Sequence, residues 1–421
     1  MSFKINIDSI PFSIRERINS ELRIEIGKNR KRYLFPYDII KDDIILPFNW
    51  TVMNISHSIW KSNKKFHPMK IKFNGKLRDE QKIVKKDALK ILNKQCSVIL
   101  SMPCGFGKTI TSINIATTIQ KQTLVIVNKI VLLKQWEQSI KDFCPNAVID
   151  TIKTKKEWNT KADFLLVNAQ NMVKINPTML SEIGVVIVDE LHMVLAETLF
   201  RALQCIQPRY LIGLSATAYR NDEMEKLIGW YFGTKKIEKK LHREHMVYKV
   251  NTGFKPVIEK NTMGTVNWGK VLDSQSQCEE RNTLIVDIVN KFKNRNFLIL
   301  VKRIHQGEYL LSKLGEEATS LLGTQQEYNK NARILIGTCQ KVGTGFDHKK
   351  LDSLIIASDL KDYFIQYLGR IFRTKKGIPL VFDLVDDYSV LKKHWRERKK
   401  IYIEHGGSVL TYKKENISYS P

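Results

Sequence analysis

The chain has 421 residues, 43% of them hydrophobic, and its 69 Lys and Arg outnumber 43 Asp and Glu for a formal charge of +26. That length supports two or three domains with full cores, and no stretch approaches the roughly twenty consecutive apolar residues of a membrane-spanning helix. So large a basic excess, clustered at 28–32, 61–65, 235–240 and 396–400, calls for a polyanionic partner, nucleic acid foremost. Six scattered cysteines with no Cys-x-x-Cys pair, and a start at residues 1–6 without an apolar signal region, read as free thiols in a reducing, cytoplasmic setting.

In chain order, residues 1–70 stand apart from the rest. Positions 12–22 read as a short amphipathic helix, and Trp50, Trp60 and Phe66 lie among basic residues, where aromatic rings either stack on bases or fill a core. This segment is expected to be a small N-terminal accessory domain. From residue 71 onward, short apolar runs alternate with helical patterns, which is how a parallel sheet with covering helices reads. One set of runs is 97–100, 123–127, 164–167, 185–188 and 210–214; a second is 297–301, 333–336, 354–357 and 380–382. The expected fold is therefore α/β, with lobes at 71–240 and 241–405, a hinge near 233–240 or 261–269, and a tail at 406–421. Residues 388–402 carry apolar positions at helical intervals among lysines and predict a basic amphipathic helix, ended by Gly406 and Gly407.

Two stretches in the first lobe carry chemistry. The run Val98-Ile99-Leu100 turns through Gly105 and Gly107 into Lys108, Thr109 and a helical pattern. Such a turn aims backbone N–H groups and a helix N-terminus at an anion. Lys108 can then reach the β- and γ-phosphates of ATP, and the Thr109 hydroxyl suits Mg²⁺, a hard ion that keeps phosphate oxygens in its shell. The strict G-x-x-x-x-G-K-[ST] pattern is broken only at its first position, by Met102. About eighty residues on, an apolar strand runs into Asp189 and Glu190. Asp189 is placed to hold the Mg²⁺ and Glu190 to orient and deprotonate the attacking water.

With these motifs the chain resembles a superfamily 2 DExH-box helicase of the XPB-like branch, close to the helicases of large cytoplasmic DNA viruses, the poxvirus transcript-release type included. The resemblance spans about 71–405 and implies two tandem RecA-like domains, with ATP and Mg²⁺ as cofactors. It places Arg78 and Gln81 of Leu77-Arg78-Asp79-Glu80-Gln81 at the nucleotide, Gln81 on the adenine edge. Gly105, Gly107, Lys108 and Thr109 surround the phosphates; the family often lacks the first glycine. Gln135 and Trp136 fall on a segment that tracks the nucleic-acid backbone, although Asn128 stands where the family commonly has Pro. His192 completes the DExH box, and it, Ser215 and Thr217 couple hydrolysis to lobe movement; Ala218 replaces a frequent Pro. In the second lobe, Thr338 and Thr344 meet the phosphodiester backbone and Asp347 the ribose. Gln366, Arg370 and Arg373 form the Q-x-x-G-R-x-x-R motif, which supplies guanidinium groups across a cleft.

The resemblance implies an ATP-dependent DNA helicase or translocase moving 3′→5′, in a viral setting releasing nascent RNA from an elongating polymerase. DNA is the favoured partner and RNA the alternative, with an RNA polymerase or transcription complex as recruiting partner, no membrane, a monomeric state, and host cytoplasm or virion as location. An RNA helicase, the motor of a restriction system, and a scaffold whose ATP site only switches shape are the rival readings. A P-D…E-x-K nuclease signature is not evident.

Overall fold

The computed structural model describes all residues except 27–31, 61–63, 104, 154–156, 195–203, 205, 216–224, 263, 344–347, 349, 361–363, 374–376 and 414–421; the side chains of Trp60 and His192 also lie outside the description. The chain divides into two compact units, Met1–Lys239 and Lys240–Pro421.

The first unit opens with β1 (Ser2–Asn6), β2 (Ile24–Ile26), β3 (Arg32–Leu34), β4 (Asp38–Ile40) and β5 (Asp43–Pro47). β1, β5 and β4 form an antiparallel sheet, and β2 with β3 a two-stranded ribbon. The expected amphipathic helix is present as Phe12–Glu21. The main sheet follows: β6 (Ser97–Ser101), β7 (Thr123–Val127), β8 (Ile149–Thr151), β9 (Phe164–Asn168), β10 (Val185–Val188), β11 (Tyr210–Ser215) and β12 (Lys236–Glu238). Its order is β12-β6-β11-β10-β7-β9-β8, parallel throughout.

β6, β7, β9 and β10 are buried along their whole length because both faces are covered, as parallel sheets require. Their side chains alternate between two cores. Val98, Leu100, Val125, Val127, Leu166 and Ile187 pack on one side; Ile99, Leu124, Ile126, Leu165, Val186 and Val188 pack on the other. That second core also contains Met1, Ile5, Leu22, Leu46, Phe48 and Trp50. Residues 1–70 thus complete the first lobe's core instead of closing one of their own. Trp50 belongs to that core, its indole N–H donating to Glu21 Oε2 at 3.0 Å, so it does not serve as a base-stacking platform.

The second unit contains β13 (His245–Asn251), β14 (Phe297–Val301), β15 (Ala318–Leu321), β16 (Ile334–Thr338), β17 (Ser353–Ile356), β18 (Leu380–Val385) and β19 (Gly407–Thr411), in the order β15-β16-β14-β17-β18-β13-β19. This sheet is also parallel. The expected tail at 406–421 therefore begins with a sheet strand: Gly407–Thr411 pairs with His245–Lys249 and extends the second lobe past residue 405. In both sheets, connections leave from the same end, so the loops after successive strands converge at the carboxyl edge, where α/β proteins place their ligands.

The basic helix is Ser389–Glu404, with Leu391, Trp395 and Tyr402 inward and Lys392, Lys393, Lys399 and Lys400 outward. It also buries a charge network. Arg398 donates from Nε and Nη2 to the two oxygens of Asp383, both at 2.8 Å, and from Nη1 to Asp359 Oδ1 at 3.1 Å and the Leu360 carbonyl at 2.7 Å. The Tyr402 hydroxyl donates to Asp383 Oδ2 at 2.8 Å, and His394 Nδ1 lies 2.7 Å from Asp359 Oδ2. Arg398 thereby ties β18 to the segment leading toward the helix Phe364–Ile371. Arg398→Ala strands the fully buried Asp383 carboxylate and is expected to destabilise the second unit by about 3–5 kcal/mol. Urea unfolding reads this directly, and an unchanged midpoint contradicts it.

Candidate nucleotide site

The glycine-rich loop lies where the sequence places it, between β6 and the helix Lys108–Ile119. Gly105 and Gly107 adopt positive φ, 82° and 94°, the left-handed region that glycine enters without strain. Gly107 is doubly constrained, since a Cβ there would run into the Gln81 side-chain amide. The Lys108 ammonium donates to the Met102 carbonyl at 2.7 Å, folding the lysine over its own loop. The Met102 N–H in turn donates to the carbonyl of buried Ser215 at 3.0 Å, joining the loop to the end of β11.

Arg78 and Gln81 brace this loop from the start of the helix Asp79–Gln95. The Gln81 amide oxygen accepts the Arg78 N–H at 2.9 Å and its nitrogen donates to the Phe106 carbonyl at 2.8 Å. The Arg78 guanidinium donates to the Gly105 carbonyl at 3.2 Å and to the Phe106 carbonyl, and sits over the Phe106 ring. Gln81 is 3% exposed and its amide is engaged at both ends, so here it holds the loop rather than standing ready for an adenine edge. The Phe106 N–H donates to the Pro103 carbonyl at 3.3 Å, so an anion is met instead by the first-turn N–H groups of the helix Lys108–Ile119, as at any helix N-terminus.

Asp189 and Glu190 follow β10 directly and are both buried. Asp189 Oδ1 accepts the Glu190 N–H and Oδ2 accepts the Trp136 indole N–H, each at 2.9 Å. Glu190 has φ 49°, a costly conformation for a residue with a side chain and one that clusters at functional positions. Burial, then the neighbouring Glu190 charge, pushes the Asp189 carboxyl up to about 6, while the Trp136 hydrogen bond and the Lys108 charge pull it back. Asp189 and the partly exposed Thr109 offer hard oxygen donors, and no cluster of three or more His, Cys, Asp or Glu able to hold a metal occurs among the described residues. That donor set suits Mg²⁺, which takes the rest of its shell from phosphates and water.

Trp136 is a correction. It is 1% exposed and bonded to Asp189, so it touches no polynucleotide. The signal was in the spacing: Leu132, Trp136 and Ile140 recur every fourth residue and form the buried stripe of the helix Ile130–Phe143, which leaves Gln135 exposed. His192 lies in the short helix Leu191–Val194; Thr217, Thr344 and Asp347 lie outside the described residues. In the second unit, Thr338 ends β16, partly exposed. Gln366 and Arg370 are buried on the helix Phe364–Ile371, four residues apart and hence on one face, and Arg373 follows two residues after its end.

The raised Asp189 pKa has a stability consequence. Its buried charge costs the folded state nothing below the ordinary carboxylate pKa of about 3.9, and increasingly more as pH rises through the raised value. In metal-free solution Asp189→Asn should therefore gain on the wild type between about pH 4 and pH 7, measured as the difference in urea midpoints. A difference that stays flat across that range contradicts the buried-charge assignment.

Residues 74–220 match the family described as Type III restriction enzyme, res subunit. The chain is 40% identical over 443 residues to "Putative helicase 161L" of Invertebrate iridescent virus 6, an alignment covering 98% of this chain and all of the relative. It is 31% identical to "Putative helicase 055L" of Frog virus 3 (isolate Goorha), over 79% of each. Among solved structures, S. cerevisiae Dbp5 bound to RNA and ADP BeF3 matches with a TM-score of 0.56 at 14% identity, covering 78% of this chain and 89% of that one, a likeness of fold that makes the two sheets RecA-like lobes. Braced glycine loop, buried carboxylate pair and full-length kinship lead to one assignment: the chain belongs to the superfamily 2 helicases, with those of large DNA viruses.

Proposed function

We propose that this protein is an ATP-driven motor on DNA, moving 3′→5′ and acting in viral transcription to release transcripts from an RNA polymerase. The observation that carries the enzymatic part is the Asp189–Glu190 pair at the carboxyl end of β10, in the same lobe as the Lys108 loop and close enough for the Lys108 charge to act on Asp189. A polynucleotide track is supported by the +26 charge; DNA as that track, polarity and transcript release rest on the motif resemblance.

In this reading the first-turn N–H groups of the helix Lys108–Ile119 and the Lys108 ammonium bind the phosphates and orient the γ-phosphoryl. Thr109 and Asp189 would hold Mg²⁺, which when bound neutralises charge on the phosphate oxygens. Glu190 accepts a proton from the attacking water through its carboxylate. Arg370 and Arg373, carried by the other unit, stabilise charge on the transferring group, so turnover requires the units to close on the nucleotide. Each closure and reopening changes the distance between two backbone-gripping surfaces and advances the protein along a strand. RNA as track is the second reading, because the Dbp5 structure that shares the fold holds RNA.

Phosphate release measured with single-stranded DNA, duplex DNA and RNA at stated salt tests the proposal. DNA is expected to stimulate most, with stimulation falling steeply as salt rises; no stimulation by any polynucleotide leaves the ATP-switched scaffold instead. Glu190→Gln should bind ATP and DNA normally yet lose turnover by roughly 10²–10⁴-fold, and wild-type rates would refute the base assignment. Arg373→Ala should likewise keep binding while turnover drops by roughly 10³-fold or more; unchanged kinetics reject a role for the second unit in hydrolysis.

A further inference from the structure

Two donors of different origin fasten the Asp189 carboxylate. One is the N–H of its own neighbour, Glu190; the other is the indole N–H of Trp136, fifty-three positions earlier in the chain. Trp136 stands in the second turn of the helix Ile130–Phe143, whose start is a surface feature. Within that start the Leu132 N–H donates to the Lys129 carbonyl at 3.1 Å, which fixes the backbone of the first turn. Ile130 is 70% exposed, and Val131, Lys134 and Gln135 are exposed beside it. One short, rigid helix therefore has its first turn in solvent at the carboxyl edge of the sheet and its second turn bonded to the carboxylate suited to the metal.

A core-filling role alone would be met by phenylalanine. A fully buried indole N–H, however, must find an acceptor, and here the acceptor is an ionised group in a site of low dielectric, where a charge-assisted bond is strong and direction-sensitive. A helix shift of about 1 Å is enough to take a 2.9 Å bond out of range.

We infer that Trp136 is a positioning residue: its N–H sets the orientation in which Asp189 receives Mg²⁺, and it ties that orientation to the placement of the helix Ile130–Phe143, so that polynucleotide engaging the first turn raises metal-dependent turnover. This rests on the motor reading above for the identity of the metal and the track. It gives the Trp136 indole, rather than any surface contact of that ring, the task of linking strand engagement to the ATP site.

The test uses the full chain with Trp136→Phe, which keeps an aromatic ring and deletes only the donor. Binding of ADP is followed by equilibrium fluorescence of a labelled analogue at increasing Mg²⁺, without polynucleotide. The Mg²⁺ concentration for half-maximal binding is expected to rise roughly 10–100-fold, with metal-free ADP affinity and nucleotide-free DNA affinity unchanged, and stimulation of phosphate release by DNA should fall toward none. An unchanged Mg²⁺ requirement overturns the positioning role. In the wild type, which avoids any folding defect of the variant, the chain has seven tryptophans whose indole ¹⁵N–H signals can be followed. One signal must broaden strongly with Mn²⁺·ADP and shift on adding single-stranded DNA alone; broadening without the shift overturns the coupling, and no broadening overturns the placement beside the metal. Should wild-type protein bind no DNA and show no stimulated turnover, the motor reading fails, while the Mg²⁺ titration still decides for or against Trp136.

Discussion

A carboxylate buried at the carboxyl end of a parallel strand is the constraint on which this structure turns. Nothing in the core of a sheet lobe favours a charge there: burial and a second carboxylate both raise the proton affinity of Asp189. The fold tolerates it because three elements arrive with compensation. β10 leads into a backbone turn that bends the Glu190 N–H onto Oδ1, the helix after β7 brings the Trp136 indole to Oδ2, and the loop after β6 brings the Lys108 charge. A carboxylate held in this way suits a cation, and in the proposed motor that cation is Mg²⁺ carrying its phosphates.

The same logic explains the restraint of the loop. An anion site works only if the carbonyls around it are turned away, and a six-residue turn has no secondary structure to do this. Arg78 and Gln81 take two of those carbonyls, and Lys108 takes that of Met102. Glycine at 107 is demanded both by the left-handed backbone and by the Gln81 amide pressed against it. The second unit solves a different problem, that of holding arginine on a short helix. It does so through the Arg398–Asp383–Asp359 network, which anchors the chain just before that helix.

Legibility in the sequence follows physical lines. Strands buried on both faces, such as Thr123–Val127 and Phe297–Val301, show as unbroken apolar runs and stand where they were expected. The edge strands Ile149–Thr151, Lys236–Glu238, Ala318–Leu321 and Gly407–Thr411 were not foreseen, because a half-exposed strand has mixed polarity and exists through its pairing partner. Residues 1–70 look separate by composition, but membership of a core is a tertiary fact, and Phe48 and Trp50 meet the first sheet only in space. Within the site, the glycines, Lys108, Asp189 and Glu190 were legible because their chemistry dictates a local pattern. The second role of Gln81 and the partner of Trp136 were not, since each depends on an atom far away in sequence.

In the proposed motor, Arg370 and Arg373 of the second unit act on the nucleotide that the first unit holds. Single-molecule energy transfer between a dye on each unit measures this most directly. The account predicts that ADP·BeF3 with DNA moves wild-type molecules to a shorter inter-dye distance, and that replacing Arg370 and Arg373 together by alanine abolishes the shift without abolishing nucleotide binding. A distance that ignores nucleotide, or that shortens equally without the two arginines, contradicts it.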